Sequence, residues 1–573
     1  MIYMGCIMAV ETGERIYSNE YFDLLLPYNG DPSEYDIFPN STYKLLSANY
    51  AVVYVPKEQI TNNIIAQLGY LVIPTLSGLI NQRSLEASGI TRTRGIPTLN
   101  LRGNGVLIGI VDTGIDYTNP VFLNADHSTR IAALWDQTII DENYASNTYY
   151  GMEFTREQIN KALQSPNPYE IVPSRDEIGH GTMIAGIAAG NEVSERNFAG
   201  VAPDSELIIV KLKPAKNIIK DFWRISENVV CFQENDIQFA LMYFEATANK
   251  LGRPLSICLA LGSSLTSHDD TSRMNTGLSG FSETFNFVIT TAAGNEGNAR
   301  RHYFGKIDPI IGYNKVELSV SEQEGNFSME LWGDAPGLFA IDIKSPSGEY
   351  IPKILPRKNE NYEVSFIFEK TNILIDYQVV EAQSGDQLIL FRFTDPAPGI
   401  WSFNVYGKGD ISQSFHVWLP MEGFISDDTY FISSDPYTTT LSLGNADGPI
   451  TATAYNAADD SLYLNAGRGY TRSMNIKPTI AAPGVDILSP SLEQSFRLVT
   501  GTSAAAAHTA GVAALLLEWG IVKGNMPKMN TINVKFLMIH GARRDLKTTY
   551  PNREWGYGIL DVFNIFDSLR QST

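Results

Sequence analysis

Four apolar runs do most to constrain how this chain can fold. Residues 106–111, 207–210, 255–260 and 287–290 show almost no polar alternation. A strand with one solvated face alternates apolar and polar side chains. A strand buried on both faces does not, and that environment is found in parallel sheets covered by helices. Helical stretches separate the runs, at 181–190, 236–249 and 503–519. The pattern predicts an α/β fold built on a doubly wound, mostly parallel sheet.

Two other regions have a different texture. In residues 1–82, 51–55 reads as a strand, 57–68 as a short amphipathic helix and 70–73 as a second strand. Such a small α+β unit, βαβ-like in order, cannot build a large core alone and needs a partner surface. Between 303 and 435, the runs 316–320, 327–331, 401–405 and 415–419 alternate with period two. Turn clusters separate them: Ser345-Pro-Ser-Gly348, Asp395-Pro-Ala-Pro-Gly399 and Gly407-Lys-Gly409. This is the signature of an antiparallel β-sandwich. The α/β pattern resumes after 436. The expected organisation is 1–82, 83–302, 303–435 and 436–573, with the sandwich inserted into one loop of the α/β core.

Composition narrows the partners. A net charge of −20 weighs against nucleic acid or an anionic membrane surface. No run reaches the roughly 18 apolar residues of a membrane helix, so no span is expected. The first residues carry no basic leader before Glu11 and Glu14, and no signal peptide is expected. Cys6, Cys231 and Cys258 are too few and odd in number for a disulfide framework; Cys231 and Cys258 are expected to be plain buried thiols.

The chemistry lies at the ends of the α/β segments. Asp112 closes the first apolar run. His180 lies between Gly179 and Gly181 at the start of one helix, and Ser503 follows Gly501-Thr at the start of another. A serine hydroxyl needs a neighbouring base to act as a nucleophile, and imidazole has a suitable pKa. The base needs an acceptor that fixes its tautomer. Asp, His and Ser in this order read as a serine endopeptidase triad. Asn295, in Ala292-Ala-Gly-Asn295-Glu-Gly297, is the candidate side-chain donor to a developing oxyanion, beside the backbone N–H of Ser503. No metal or cofactor is expected.

These blocks resemble the subtilisin-like serine proteases. The likeness rests on Val111-Asp112-Thr-Gly-Ile-Asp116, His180-Gly-Thr-Met-Ile-Ala-Gly186, Ala293-Gly-Asn295-Glu-Gly297 and Gly501-Thr-Ser503. Lys477-Pro-Thr-Ile-Ala-Ala-Pro-Gly484 and Trp555-Gly-Tyr-Gly-Ile-Leu-Asp561 add to it. The resemblance implies that Leu259, Ala260, Leu261 and Gly262 pair with substrate backbone and form one wall of the primary specificity pocket. Ala292, Ala293 and Gly294 form the other. It implies that residues 1–82 are a propeptide and intramolecular chaperone, cut by the enzyme itself near Gln82. The family's Met and Pro after the serine are replaced by Ala504 and Ala507, and a family calcium carboxylate by Val121. The insert and the absence of a leader resemble the clostridial spore-germination proteases. These carry a jelly-roll insert, retain the propeptide and act on the zymogen of a cortex-degrading hydrolase. That resemblance implies a cytoplasmic or spore-associated protein whose partners are a protein substrate and its own propeptide.

Plainer readings stand beside these. The triad residues alone are a strand-end Asp, a helix-start His and an N-cap Ser, and the chain would then be a catalytically silent protease-like scaffold or ligand-binding regulator. His508 reads as structural. His127, His268, His302, His416 and His540 lack metal-ligand spacing. Asp269-Asp270 reads as a solvated loop, and Trp332, Trp401 and Trp418 as sandwich core rather than a sugar platform.

Overall fold

A computed structural model describes residues 15–47, 49–79, 87–94, 99–140, 148–358, 360–407 and 413–571. Gln82 lies outside the described residues.

A nine-stranded sheet forms the centre. Leu107–Asp112 is its middle strand, with parallel neighbours Leu255–Leu259 on one side and Glu206–Lys211 on the other. Phe287–Ala292, Ile450–Asn456 and Ile480–Pro483 extend it in parallel. Antiparallel strands appear only toward the two ends of its path, at Met152–Thr155 and Ser461–Leu462. Each of the four apolar runs falls on one of its parallel strands. Successive residues of these strands enter two separate cores. Ile108, Ile110, Leu207, Ile209 and Cys258 pack with the His180–Ala189 and Thr502–Leu517 helices on one face. Leu107, Val111, Ile208, Val210 and Ile257 pack with Glu234–Leu251 and Arg273–Ser282 on the other. Two buried faces explain the missing alternation.

The helix continuing from Thr502 to Val522 is, by length and composition alone, long and apolar enough to cross a membrane. Its run from Thr502 to Leu517 is buried on every side within the fold, so it is the core helix of the α/β unit.

The N-terminal unit differs from the βαβ reading. Tyr21–Pro27, Tyr50–Pro56 and Thr42–Leu45 form an antiparallel three-stranded sheet. Residues 57–68 split into a 3-10 turn, Lys57–Gln59, and a short helix, Ile64–Leu68, because Thr61-Asn-Asn between them are poor helix formers. Residues 70–73 form no strand: Tyr70–Val72 is a 3-10 turn. Its buried Tyr70 ring makes edge contacts with Trp223 and Trp332, which a sheet partner on that side would displace. The unit finds its partner surface on the Asn217–Trp223 helix, where Phe22 meets Phe222 edge-on at 5.8 Å.

From His302 to Phe431 the chain forms two antiparallel sheets, of six strands and five. Phe327, Leu331 and Phe391 of the first face Leu318, Ile343 and Phe403 of the second in one shared core. The five-stranded sheet shows the expected alternation at Gly399–Tyr406. The six-stranded sheet does not: Phe327–Gly333 is buried throughout, because its second face lies on the α/β core. This corrects the tryptophans. Trp401 belongs to the core between the sheets, whereas Trp332 and Trp418 belong to the α/β cluster. All three are buried, which removes them as a sugar platform. Asp269 is likewise no solvated residue. It is 3 % exposed and paired with Arg472 at 2.9 Å.

Candidate active site

Asp112 is the last residue of the central strand and His180 the first of the His180–Ala189 helix. The imidazole Nδ1 lies 2.8 and 2.9 Å from the two carboxylate oxygens of Asp112. This is the contact that fixes the tautomer and orientation of a catalytic imidazole. Local chemistry forces the approach. Gly179 takes a left-handed φ of +86°, and a Cβ on Gly181 would lie 2.1 Å from the Gly114 carbonyl oxygen. Neither place tolerates an ordinary side chain.

A residue that sequence reading missed organises this corner. Asp176, buried, accepts hydrogen bonds from the backbone N–H groups of Ile178, Gly179 and Thr182 and from the hydroxyls of Thr113 and Thr182. Thr113 in turn accepts from the N–H of Gly181 at 2.9 Å, and Thr182 from that of Asp116 at 2.8 Å. The Asp112 and His180 segments are thus tied together through a third carboxylate. Its only sequence signal is an acid four residues before His180.

Ser503 is the second residue of the Thr502–Leu517 helix, which packs on the His180–Ala189 helix. A Cβ on Gly511 would come within 2.9 Å of the Ala188 carbonyl. The Ser503 hydroxyl donates to the Ala260 carbonyl at 3.2 Å, within the 259–262 segment expected to form one pocket wall. Asn295 is half-buried. Its Oδ1 accepts from both the N–H and the hydroxyl of Thr502, each at 3.2 Å. That assigns the amide, because a backbone N–H requires the oxygen, and it leaves Nδ2 turned away from Thr502. The N–H groups of a first helical turn lack intrahelical acceptors, so the start of this helix favours negative charge.

The expected pocket walls are adjacent. Ala292 ends the strand that runs parallel to Leu255–Leu259, and Ala293 and Gly294 follow it. Leu261–Gly262 pairs antiparallel with Leu76–Leu79 of the N-terminal unit, Leu261 opposite Leu79 and Gly262 opposite Gly78. Leu76–Leu79 also pairs with Phe232–Gln233, so it is the middle strand of three. The edge expected to hold a substrate therefore already holds an extended segment of the chain itself.

Other candidates settle into structural roles. His508 hydrogen-bonds Ser88 inside the core at 2.6 Å. Cys231 and Cys258 are buried free thiols. Burial, and after it the charge of Asp112, raises the Cys258 thiol pKa, which keeps it neutral behind the site.

A doubly wound α/β sheet that presents an Asp–His pair, a serine at a helix start and an amide beside it defines the serine-protease class of centre. The subtilase family profile matches residues 103–326 and 428–558, and the chain belongs to that family. It is 24% identical over 471 residues to the subtilisin-like protease SBT1.9 of Arabidopsis thaliana. That match covers 75% of this chain and 59% of the plant protein. It is 27% identical over 172 residues to the subtilisin-like protease PopC of Myxococcus xanthus, covering 29% of this chain and 27% of PopC. The chain thus spans less than two thirds of the length of either relative. Among solved structures, the Clostridium perfringens CspB protease superposes with a TM-score of 0.76 at 28% identity, covering 85% of this chain and 97% of that one.

Proposed function

We propose that this chain is a serine endopeptidase that cleaves extended peptide segments through an acyl-enzyme. The observation that carries the reading is the His180–Asp112 contact, with both carboxylate oxygens within 3 Å of Nδ1. With the Ser503 hydroxyl turned to the imidazole, His180 Nε2 takes its proton as Oγ attacks the scissile carbonyl. Asp112 stabilises the imidazolium. Asn295 Nδ2 and the N–H of Ser503 hold the oxyanion. The imidazolium passes its proton to the departing amine, and water, deprotonated by His180, then releases the acyl group. Leu259, Ala260, Leu261 and Gly262 form one wall of the cleft and pair with substrate backbone, a mode that accepts many sequences. Ala292, Ala293 and Gly294 form the other wall.

Residues 1–82 act as a propeptide cut within a few residues of Gln82, residues 303–435 form a jelly-roll insert, and 83–302 with 436–573 form the protease core. The Leu76–Leu79 strand in the substrate edge supports the first of these. The structural likeness to the CspB protease and the insert support a role in limited proteolysis, with the zymogen of a spore cortex hydrolase as substrate and a cytoplasmic or spore-associated setting. Purified chain incubated with that zymogen should yield one discrete product, absent with Ser503→Ala; no cleavage would end the germination role and leave the peptidase intact.

One observation favours a second reading, a silent scaffold. The Ser503 hydroxyl is fully buried and bonded to Ala260, next to the Leu261–Gly262 strand that the chain's own Leu76–Leu79 already pairs with. Reaction with a fluorophosphonate separates the two, since a scaffold gives no adduct.

A further inference from the structure

The slot between the two pocket walls is occupied by a side chain of the protein itself. A Cβ on Gly262 would meet Leu441 Cβ at 2.6 Å and Cδ1 at 2.9 Å. One on Gly294 would meet Leu441 Cγ at 2.4 Å and Cδ1 at 2.7 Å. Leu441 therefore lies against both glycines, one from each wall, and it is fully buried. It is also fixed. Its N–H donates to Ala293 of one wall at 2.9 Å, and the next N–H, of Ser442, donates to Ser263 beyond the other, also at 2.9 Å. Ser442 Oγ accepts from the N–H of Ser263 at 3.1 Å. The Thr440 carbonyl accepts from Asn445 Nδ2 at 3.0 Å and lies 3.0 Å from His268 Nδ1. A backbone held to both walls on either side of Leu441 fixes where its side chain enters the slot.

We infer that Leu441 sets the floor of the primary recognition slot and restricts the enzyme to peptides with a small side chain, glycine, alanine or serine, on the acyl side of the scissile bond. The inference rests on the proposed peptidase activity and names its substrate class. A close-packed leucine cannot share its volume with a second large side chain. A residue as large as Gln82 does not fit, and self-cleavage in that stretch falls after Ser84 instead.

The test uses the full chain and three small esters, the 4-nitrophenyl esters of N-acetylalanine, N-acetylvaline and N-acetylphenylalanine, which need the slot but no long edge pairing. Rates are expressed per serine titrated by a fluorophosphonate. The wild type is expected to favour the alanine ester by ~100-fold, within the range one apolar pocket can supply. Leu441→Ala should narrow that ratio at least ~10-fold by accelerating the phenylalanine ester. Leu441→Val, a smaller excision that spares the fold, should shift an alanine-over-valine preference in the same direction. Titration without an alanine preference, or with preferences unmoved in both variants, overturns the inference alone. So does titration with none of the esters turned over. Absence of any titratable serine refutes the peptidase reading beneath it.

Discussion

Gly181 shows how little freedom the His180 segment has. With a Cβ due 2.1 Å from a carbonyl oxygen, Gly181→Ala must push the helix start away from the central strand. The expected result is a fall in kcat of at least ~10-fold with a folded chain, seen as slower ester turnover and an unchanged near-ultraviolet spectrum. Asp112→Asn should cost on the order of 10⁴ in kcat, because a neutral amide no longer holds the productive tautomer. Asp176→Asn removes charge but little volume from five hydrogen bonds. It should lower kcat while leaving KM nearly unchanged, as expected of a residue that positions His180 without touching substrate; a KM effect alone would contradict that role. Asp112, His180, Ser503 and Asn295 were legible because small residues that permit close approach crowd around each. Asp176 and Leu441 were not. One is a lone acid in a loop and the other a lone leucine, and their importance arises only when distant segments meet.

At the scale of elements, the central sheet was legible because burial on both faces removes alternation over whole strands. Legibility fell where a surface meets a second body. Phe327–Gly333 is covered on both sides, yet Phe327-Ser-Met-Glu-Leu331 still alternates, because two residues of its covered outer face are polar: Ser328 bonds the Trp223 carbonyl and Glu330 takes the Tyr70 hydroxyl at 2.7 Å. The misreading of 70–73 has the same origin, since Tyr70 serves that joint rather than a ladder. The joint between the N-terminal sheet and the α/β unit carries a buried ion pair. Asp23, wholly buried, pairs with Lys216 and accepts from Gln233 at 3.0 Å. Removing one member of such a pair leaves a buried charge without its counter-ion, at about 3–5 kcal/mol. Asp23→Ala should therefore lower the denaturant midpoint by that equivalent, or expose the N-terminal unit to protease. A loss below ~1 kcal/mol would mean the pair does not hold the two units together.

The whole molecule has a pH-sensitive seam between the inserted sheets and the α/β core. His302 and His416 share a 2.8 Å hydrogen bond, and each of them, like His268, stacks on Trp418. Burial lowers all three: His268 and His302 to about 3, and His416 well below the usual imidazole value. The unfolded chain takes up these protons below about 6.5, whereas the folded chain stays neutral, so the stability they supply is full above that pH and falls as pH drops toward 3. Glu330 works in the opposite sense. Burial raises it to about 7 from 4.5, so its contribution is full below 4.5 and is lost as pH rises to 7. Each group is worth about 1.4 kcal/mol per pH unit, and three imidazoles outweigh one carboxyl. The melting temperature is expected to fall between pH 7 and pH 5; a rise would show that the seam is not neutral in the fold.

Peptidase activity depends on Ser503 being a nucleophile that Asp112 and His180 can activate, and intact-mass analysis after fluorophosphonate treatment measures that directly. The wild type should gain the mass of one phosphonyl group, mapped to Ser503, and Ser503→Ala should gain none. A wild type that stays unlabelled, or an adduct that survives in Ser503→Ala, would contradict it.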